Sequence, residues 1–572
     1  MSLPSTLIDV VREHAAARPQ APAYTFLDAS GEVEGSLTYA ELDAQARAVA
    51  THLSATGNVV GERVLLVNSR HADFVRGFFG ALYAGGIPMP LPSPSNARAC
   101  EALAPLAQSG RPRFALLSDD ARAQFAKSAA SQDVLAGVTV VDGSGAPQAR
   151  EWHAPASSTT STALLQYTSG STSAPRGVVI SHANLLRNAH TMGTALAIHC
   201  ESTFVSWLPL FHDFGLIGHV LLSAIFGSHC VLMSPRTFLR NPLHWLRAID
   251  RFGAEYSGAP NFGYDACVQK RDDAAVRGLD ISRWRIAMIG AEPVNRETLL
   301  RFTDAFAGAG FSARAFHPAY GLAEATLLLT TRGGNVEPRT LELAADALKE
   351  RQVRHAAGGE AVRTVVCCGR PADDDEIVIV RPSDFERLPE LHIGEIWVRS
   401  ASVGAGYFSE PQATAQTFGA HLREGAGPFL RTGDLGFLES GELYITGRLK
   451  DLIVVRGQNH YPTDVERTVE AMVEATNETA RPATTACFVL GDQDEERIVI
   501  VHEMRPPEDY VARASAIRRA VYEEHALTLD RVVFVRAGGV PKTSSGKVRR
   551  AECRTKLSGG ELPILYDGRL PV

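Results

Sequence analysis

The chain lacks a clean apolar run of membrane-spanning length, a cysteine framework and an excess of positive charge. Phe214 to Met233 is the strongest membrane candidate, but it contains His219, Ser223, Ser228 and His229 and follows Asp213. A buried helix and strand is expected there instead of a span. Eight cysteines among 572 residues follow neither metal-site nor disulfide spacing, and Cys367 and Cys368 are adjacent rather than C-x-x-C. Free thiols in a reducing compartment, the cytoplasm, are the expectation. A formal net charge of −7 argues against nucleic acid as the main partner. There is no low-complexity tract and no internal repeat, and the opening MSLPSTLIDVV lacks the basic start and apolar core of a signal peptide. Nor does the chain contain a Walker G-x-x-x-x-G-K-[ST] loop.

What is present is a different glycine-hydroxyl loop, YTSGSTSAPRG, from Tyr167 to Gly177. It follows the apolar Ala163, Leu164 and Leu165 and precedes Val178, Val179 and Ile180, so two strand-like runs hold it at a hairpin-like connection. Glycine lets backbone N–H groups approach phosphate oxygens, hydroxyls donate further bonds, and Arg176 adds charge-assisted ones. On composition alone, a surface turn of Ser, Thr and Gly fits equally.

At 572 residues the chain is expected to split into several units. Thr38 and Glu41 form a capping-box signature, followed by Leu42, Ala46, Val49, Ala50 and Leu53 at helical spacing. Strands are expected at 64–67, 114–117 and 138–141, with a helix over 74–83, an alternation that indicates βαβ units and a mostly parallel sheet. From about 369 to 444 short strands broken by turns suggest a small β subdomain. After 447, strands at 487–490, 498–501 and 532–535 flank a helix near 512–524. The expected class is therefore α/β: an N-terminal domain over 1–447, a hinge at 448–451 centred on Lys450, and a mobile α+β C-terminal domain over 452–572.

Four further motifs follow the loop in order: YGLAEAT (320–326), RTGDLG (431–436), GRLKDLI (447–453) and PKTSSGKVRR (541–550). Together the five resemble the adenylate-forming acyl-activating superfamily. SWLPLFHDFGLIG (206–218), MSPRTFLRNPLHWLRAI (233–249), SGAPNFGYDAC (257–267), IGAEPV (289–294) and RGQNHYPTDVE (456–466) resemble one branch, the fatty acyl-AMP ligases. Forty-five residues separate Glu324 from Gly369. The extra segment, roughly 332–364, resembles the insertion of that branch.

The resemblance implies that a fatty acid and ATP form acyl-AMP and pyrophosphate with Mg²⁺, and that the acyl group then passes to the phosphopantetheine thiol of an acyl carrier protein. The alternatives are a fatty acyl-CoA ligase and a non-catalytic nucleotide or acyl-adenylate binding protein. It implies further that Thr168, Ser169, Gly170, Ser171, Thr172 and Arg176 hold the β and γ phosphates, and that Glu324 holds Mg²⁺. Tyr320 and Gly321 meet adenine, with Gly290, Ala291 and Glu292 lining the base pocket. Asp434 takes the ribose hydroxyls and Arg448 reaches ribose or phosphate. Lys547 bridges the carboxylate and the α-phosphate, His212 and Asp213 sit between phosphate and acyl pocket, and 204–210 with 257–264, including Ser257 and Phe262, line the acyl tunnel. Many relatives carry Gly at the position of Ser173 and Lys at that of Arg176. Helix-start glutamate, core tyrosine, turn aspartate, satisfied core histidine and solvated basic tail are the structural readings of Glu324, Tyr320, Asp434, His212 and Lys547.

Overall fold

The computed structural model describes residues 5–127, 134–142, 151–168, 176–272, 276–372, 374–455, 458–476, 484–491, 497–504, 509–543 and 546–570. Its largest sheet has nine strands, in spatial order Arg370–Pro371, Leu328–Thr331, Phe316–Gly321, Ile286–Ile289, Tyr256–Ala259, Thr203–Ser206, His229–Leu232, Pro22–Leu27 and Val33–Thr38. The six central strands, from Phe316–Gly321 to Pro22–Leu27, run parallel, and antiparallel strands close both edges. Parallel pairing requires crossovers, and the helices that supply them cover both faces of the sheet.

Local sequence explains these elements. The helix Tyr39–Ser54 starts on the expected capping box: the Thr38 side chain accepts from the Glu41 N–H, and Glu41 accepts from the Thr38 N–H at 2.8 Å. Such a cap contributes about 1 kcal/mol. The face that follows, Tyr39, Leu42, Ala46, Val49, Ala50 and Leu53, is buried. A second sheet contains the parallel strands Arg63–Val67, Ile87–Pro90, Phe114–Leu117 and Thr139–Asp142. The segment with the membrane-like composition folds as a π-helical stretch Leu216–Leu221, a helix Leu222–Phe226 and the strand His229–Leu232. No helix among the described residues is long and apolar enough to cross a membrane.

A four-stranded antiparallel sheet of Glu376–Val380, Gly394–Arg399, Leu430–Glu439 and Glu442–Arg448 matches the expected β subdomain. A 3-10 turn, Leu449–Asp451, carries Lys450 and leads into the last unit. There the sheet of Thr485–Leu490, Arg497–Met504, Arg531–Arg536 and Ile564–Arg569 packs with the helices Pro462–Thr476, Tyr510–His525 and Arg550–Ser558.

The extra segment is itself folded. Thr340–Ala344 pairs antiparallel with Val362–Val366, with the helix Ala345–Lys349 between them. Leu341, Leu343, Leu348 and Val365 bury against Leu435, Phe437 and Tyr444 of the small sheet and against Tyr461 of the last unit. Arg363 adds an ion pair to Asp464 at 3.0 Å and lies over the Tyr461 ring at 4.2 Å, while Asn459 Nδ2 donates to the Lys349 carbonyl at 2.7 Å. The segment thus contacts both neighbours at once.

Candidate functional site

The glycine-hydroxyl loop sits where two strands demand a reversal. Thr162–Tyr167 and Gly177–Ser181 pair antiparallel, and the Thr168 N–H donates to the Arg176 carbonyl to close the base. Ser169, Gly170, Ser171, Thr172 and Ser173 lie outside the described residues. The exit strand is zipped to the segment 404–408: Ala405 N donates to Val179 O, Val179 N to Gly406 O and Phe408 N to Gly177 O. The same segment binds the next motif, since Gly404 N donates to the Glu324 carbonyl and Tyr407 Oη donates to Glu324 Oε1 at 2.7 Å. Arg176 rests over the Tyr407 ring at 5.2 Å.

Glu324 lies on a 3-10 turn, Ala323–Ala325, that ends at Thr326 with φ +71° and ψ −64°. This strained conformation is held by the Thr326 hydroxyl bonding Ser402 O at 2.6 Å. Gly321 is obligatory, because a Cβ there would collide with the Leu327 carbonyl. Burial raises the Glu324 pKa; the Tyr407 hydrogen bond opposes this and Asp213 and Asp434 reinforce it. Among the described residues no group of three His, Cys, Asp or Glu side chains could hold a metal.

Asp434 is buried between two donors. Tyr320 Oη bonds its Oδ2 at 2.9 Å, and Arg448 Nε pairs with its Oδ1 at 3.0 Å across the strands Leu430–Glu439 and Glu442–Arg448. Each carboxylate oxygen has a second lone pair, so ribose hydroxyls can still be accepted. Tyr320 is a core ring whose hydroxyl orients Asp434. Gly290 passes so close to the Ala319 carbonyl that a Cβ would lie 2.6 Å from its oxygen, and Ala291 follows with φ +67°. Glu292 Oε1 accepts from both Asn261 N and Asn261 Nδ2 at 2.9 Å, which pins the start of the helix Asn261–Gln269.

The C-terminal loop reaches this cleft. Gly546, at φ +85°, packs so that a Cβ would lie 2.8 Å from the Phe262 ring, and Lys547 follows. Desolvation lowers the Lys547 pKa, as does Arg448, whereas Asp213, Glu292 and Asp434 oppose the shift. The lysine therefore stands within the field of residues from four separate motifs. Burial brings His212 down to about 4, with Lys547 contributing, so its ring is neutral at pH 7. Burial raises Asp213, with Lys547 opposing; its Oδ1 accepts from the Phe214 N–H at 2.7 Å.

Ser257 was expected to line the acyl tunnel, but its hydroxyl donates to the Val205 carbonyl and accepts from Trp245 Nε1 at 2.7 Å, and it is wholly buried. Side chains alternate along a strand, so Ser257 turns to the face opposite Tyr256 and Gly258. Phe262 borders the loop carrying Lys547. Tyr407, Asn261 and Gln166, whose Nε2 donates to the Phe211 carbonyl at 2.9 Å, were not foreseen, since each acts on a partner 31 to 83 residues away.

The family described as AMP-binding enzyme matches residues 11–408, and the AMP domain of Disco-interacting protein 2-like proteins matches 450–566. The medium-chain-fatty-acid--[acyl-carrier-protein] ligase JamA of Moorena producens is 38% identical over 98% of this chain and 96% of its own length. The 4-hydroxyphenylalkanoate adenylyltransferase of Mycobacterium tuberculosis is 35% identical over 96% of this chain and 91% of its own. A crystal structure of a fatty acyl-adenylate ligase from Legionella pneumophila, in complex with acyl adenylate and pyrophosphate, aligns with a TM-score of 0.76 at 35% identity, covering 99% of this chain and 98% of that one.

Proposed function

This chain belongs to the AMP-binding enzyme family, on its fatty acyl-AMP ligase branch, and from that membership we propose a reaction in two halves. In the first, a fatty acid carboxylate attacks the α-phosphorus of ATP, the bond to the β-phosphate bridging oxygen breaks, and pyrophosphate leaves with that electron pair. In the second, the thiol of a carrier-protein phosphopantetheine displaces AMP to give the acyl thioester. The observation that carries the reading is the packing of the loop bearing Lys547 against Phe262, where Asp213, Glu292, Asp434 and Arg448 act on the lysine electrostatically.

Two anions must meet in the first half, so the protein's task is charge neutralisation and alignment. Lys547 places its ammonium between carboxylate and α-phosphate. Thr168 and Arg176, with Ser169, Gly170, Ser171 and Thr172, grip the β and γ phosphates. Asp434, aimed by Tyr320, accepts the ribose hydroxyls, and Arg448 faces the phosphate side. Gly290, Ala291, Glu292, Tyr320 and Gly321 bound the base. His212, neutral, donates one ring N–H toward the α-phosphate, with Asp213 beside it. The Glu324 carboxylate, which accepts a hydrogen bond from the uncharged Tyr407 hydroxyl, fits a cation. Mg²⁺ held there would supply positive charge against the triphosphate.

For the second half, the C-terminal unit turns about Lys450 and withdraws Lys547, admitting the thiol. The inserted segment, tied to that unit through Arg363 and Asp464, limits the turn and disfavours free CoA. The reaction is placed in the cytoplasm, where ATP and carrier protein are supplied. The test supplies the purified chain with fatty acid, ATP and Mg²⁺, then CoA or a phosphopantetheinylated carrier protein, with products read by mass spectrometry. Acyl-AMP, pyrophosphate and acyl-carrier thioester are expected; rapid acyl-CoA formation would replace the branch assignment, and no pyrophosphate would remove the enzymatic reading.

A further inference from the structure

Two elements leave the reaction centre together. Asp213 and Asn261 stand at the charged rim; one step inward, Phe214 lies over Gly258, where a Cβ would come within 2.8 Å of its ring. Farther inward the ring of His219, in the π-helical stretch, meets the ring of Tyr256 at 5.2 Å between centroids and 72°. Gly258 and Tyr256 are two positions apart along the strand, so this second pair lies roughly 7 Å deeper. Phe204, 4.5 Å from Tyr256 between centroids, Leu216 and Met288 complete the apolar surroundings.

Both inner side chains are fully buried, and both carry a polar atom that has no hydrogen-bond partner among the described residues: His219 Nε2 and Tyr256 Oη. Their chemistry is complementary. His219 Nδ1 lies 2.9 Å from the Phe214 carbonyl, which can only accept, so Nδ1 carries the hydrogen. Burial takes the ring's pKa to about 4, so Nε2 is a bare lone pair at neutral pH. Burial pushes the Tyr256 phenol up, so its O–H is retained as a donor. A plain alkyl chain satisfies neither atom, whereas one hydroxyl group can donate to the first and accept from the second. Buried polar groups are almost always paired, and π-helical turns concentrate at functional positions.

We propose that the acyl pocket recognises a carboxylic acid bearing a hydroxyl group toward the end remote from its carboxylate, with His219 Nε2 accepting from that hydroxyl and Tyr256 Oη donating to it. The proposal rests on the acyl-AMP ligase reading and names the substrate class within it.

The test is pyrophosphate release by the full chain with length-matched acid pairs: an ω-hydroxyalkanoate against its alkanoate, and a hydroxyphenylalkanoate against its phenylalkanoate. The hydroxylated member of at least one pair is expected to have a kcat/KM about tenfold to a hundredfold higher. In Tyr256→Phe and His219→Leu that ratio is expected to fall toward one, with thermal melting used to check that each variant folds. Equal or higher kcat/KM for the unhydroxylated acid in both pairs overturns the proposal while leaving the ligase reading intact, and needs no variant. A ratio that survives in both folded variants also overturns it. Failure to adenylate any acid overturns the ligase reading and this proposal with it.

Discussion

The rim of the cleft and its inner wall treat polar groups in opposite ways. At the rim every carboxylate is held by a donor from the same chain: Glu324 by Tyr407, Asp434 by Tyr320 and Arg448, Glu292 by Asn261, and Asp213 by the Phe214 N–H. At the inner wall, His219 Nε2 and Tyr256 Oη have no hydrogen-bond partner among the described residues. Charge placement for the chemical step is therefore fixed before substrate arrives, which is the arrangement that lowers reorganisation in the transition state. The inner wall leaves its hydrogen bonds for the substrate to complete.

The sharpest break of that preset rim is removal of its cation. Lys547→Ala is expected to lower adenylation by about 10²- to 10³-fold, as for loss of one transition-state donor, measured by pyrophosphate release under saturating ATP; a wild-type rate would remove the lysine from the chemical step. The same residue sets an alkaline limit. Its active form is protonated and its pKa is lowered, chiefly by desolvation, so activity is present below that value and is lost as pH rises through it, earlier than for an ordinary lysine. Asp213→Asn deletes one of the charges that oppose the shift, and the alkaline limb in a pH profile should move to still lower pH.

Asp434→Asn keeps the shape but removes the charge shared by Tyr320 and Arg448. The KM for ATP should rise about tenfold to a hundredfold, the range for hydrogen bonds to a charged group. Tyr407→Phe removes only the hydroxyl on Glu324; about a fivefold rise in the Mg²⁺ concentration giving half-maximal rate is expected, whereas a ring that serves only in packing would leave that dependence unmoved. Smallest is Arg363→Ala, which removes one partly buried ion pair between the inserted segment and the last unit. Such pairs contribute about 1 kcal/mol or less, so acyl-CoA yield should rise by a few-fold at most, measured against acyl-carrier formation in the same mixture.

Local patterns in the sequence were sufficient for the capping box at Thr38, the apolar helix face after it, the hairpin around the loop and the strands of the small sheet, because each depends on residues within a few positions. The motifs located Glu324, Asp434 and Lys547, and the fold brings their surroundings together. Pairings across long separations were not legible: nothing near Tyr407 points to Glu324, 83 residues earlier, and nothing near Asn261 points to Glu292. Ser257 shows a different limit. The sequence placed it in a strand, but gave no sign that its hydroxyl is taken up by the Val205 carbonyl and Trp245 Nε1.

The zipper between Gly177–Ser181 and the 404–408 segment has a mechanical corollary. Because Ala405, Gly406 and Phe408 hold the exit strand while Gly404 and Tyr407 of the same short stretch hold Glu324, the base of the glycine-hydroxyl loop and the carboxylate are mounted on one bracket. In the reaction proposed, departure of the inorganic product and loosening of the acid that faces it would thereby be geared to each other.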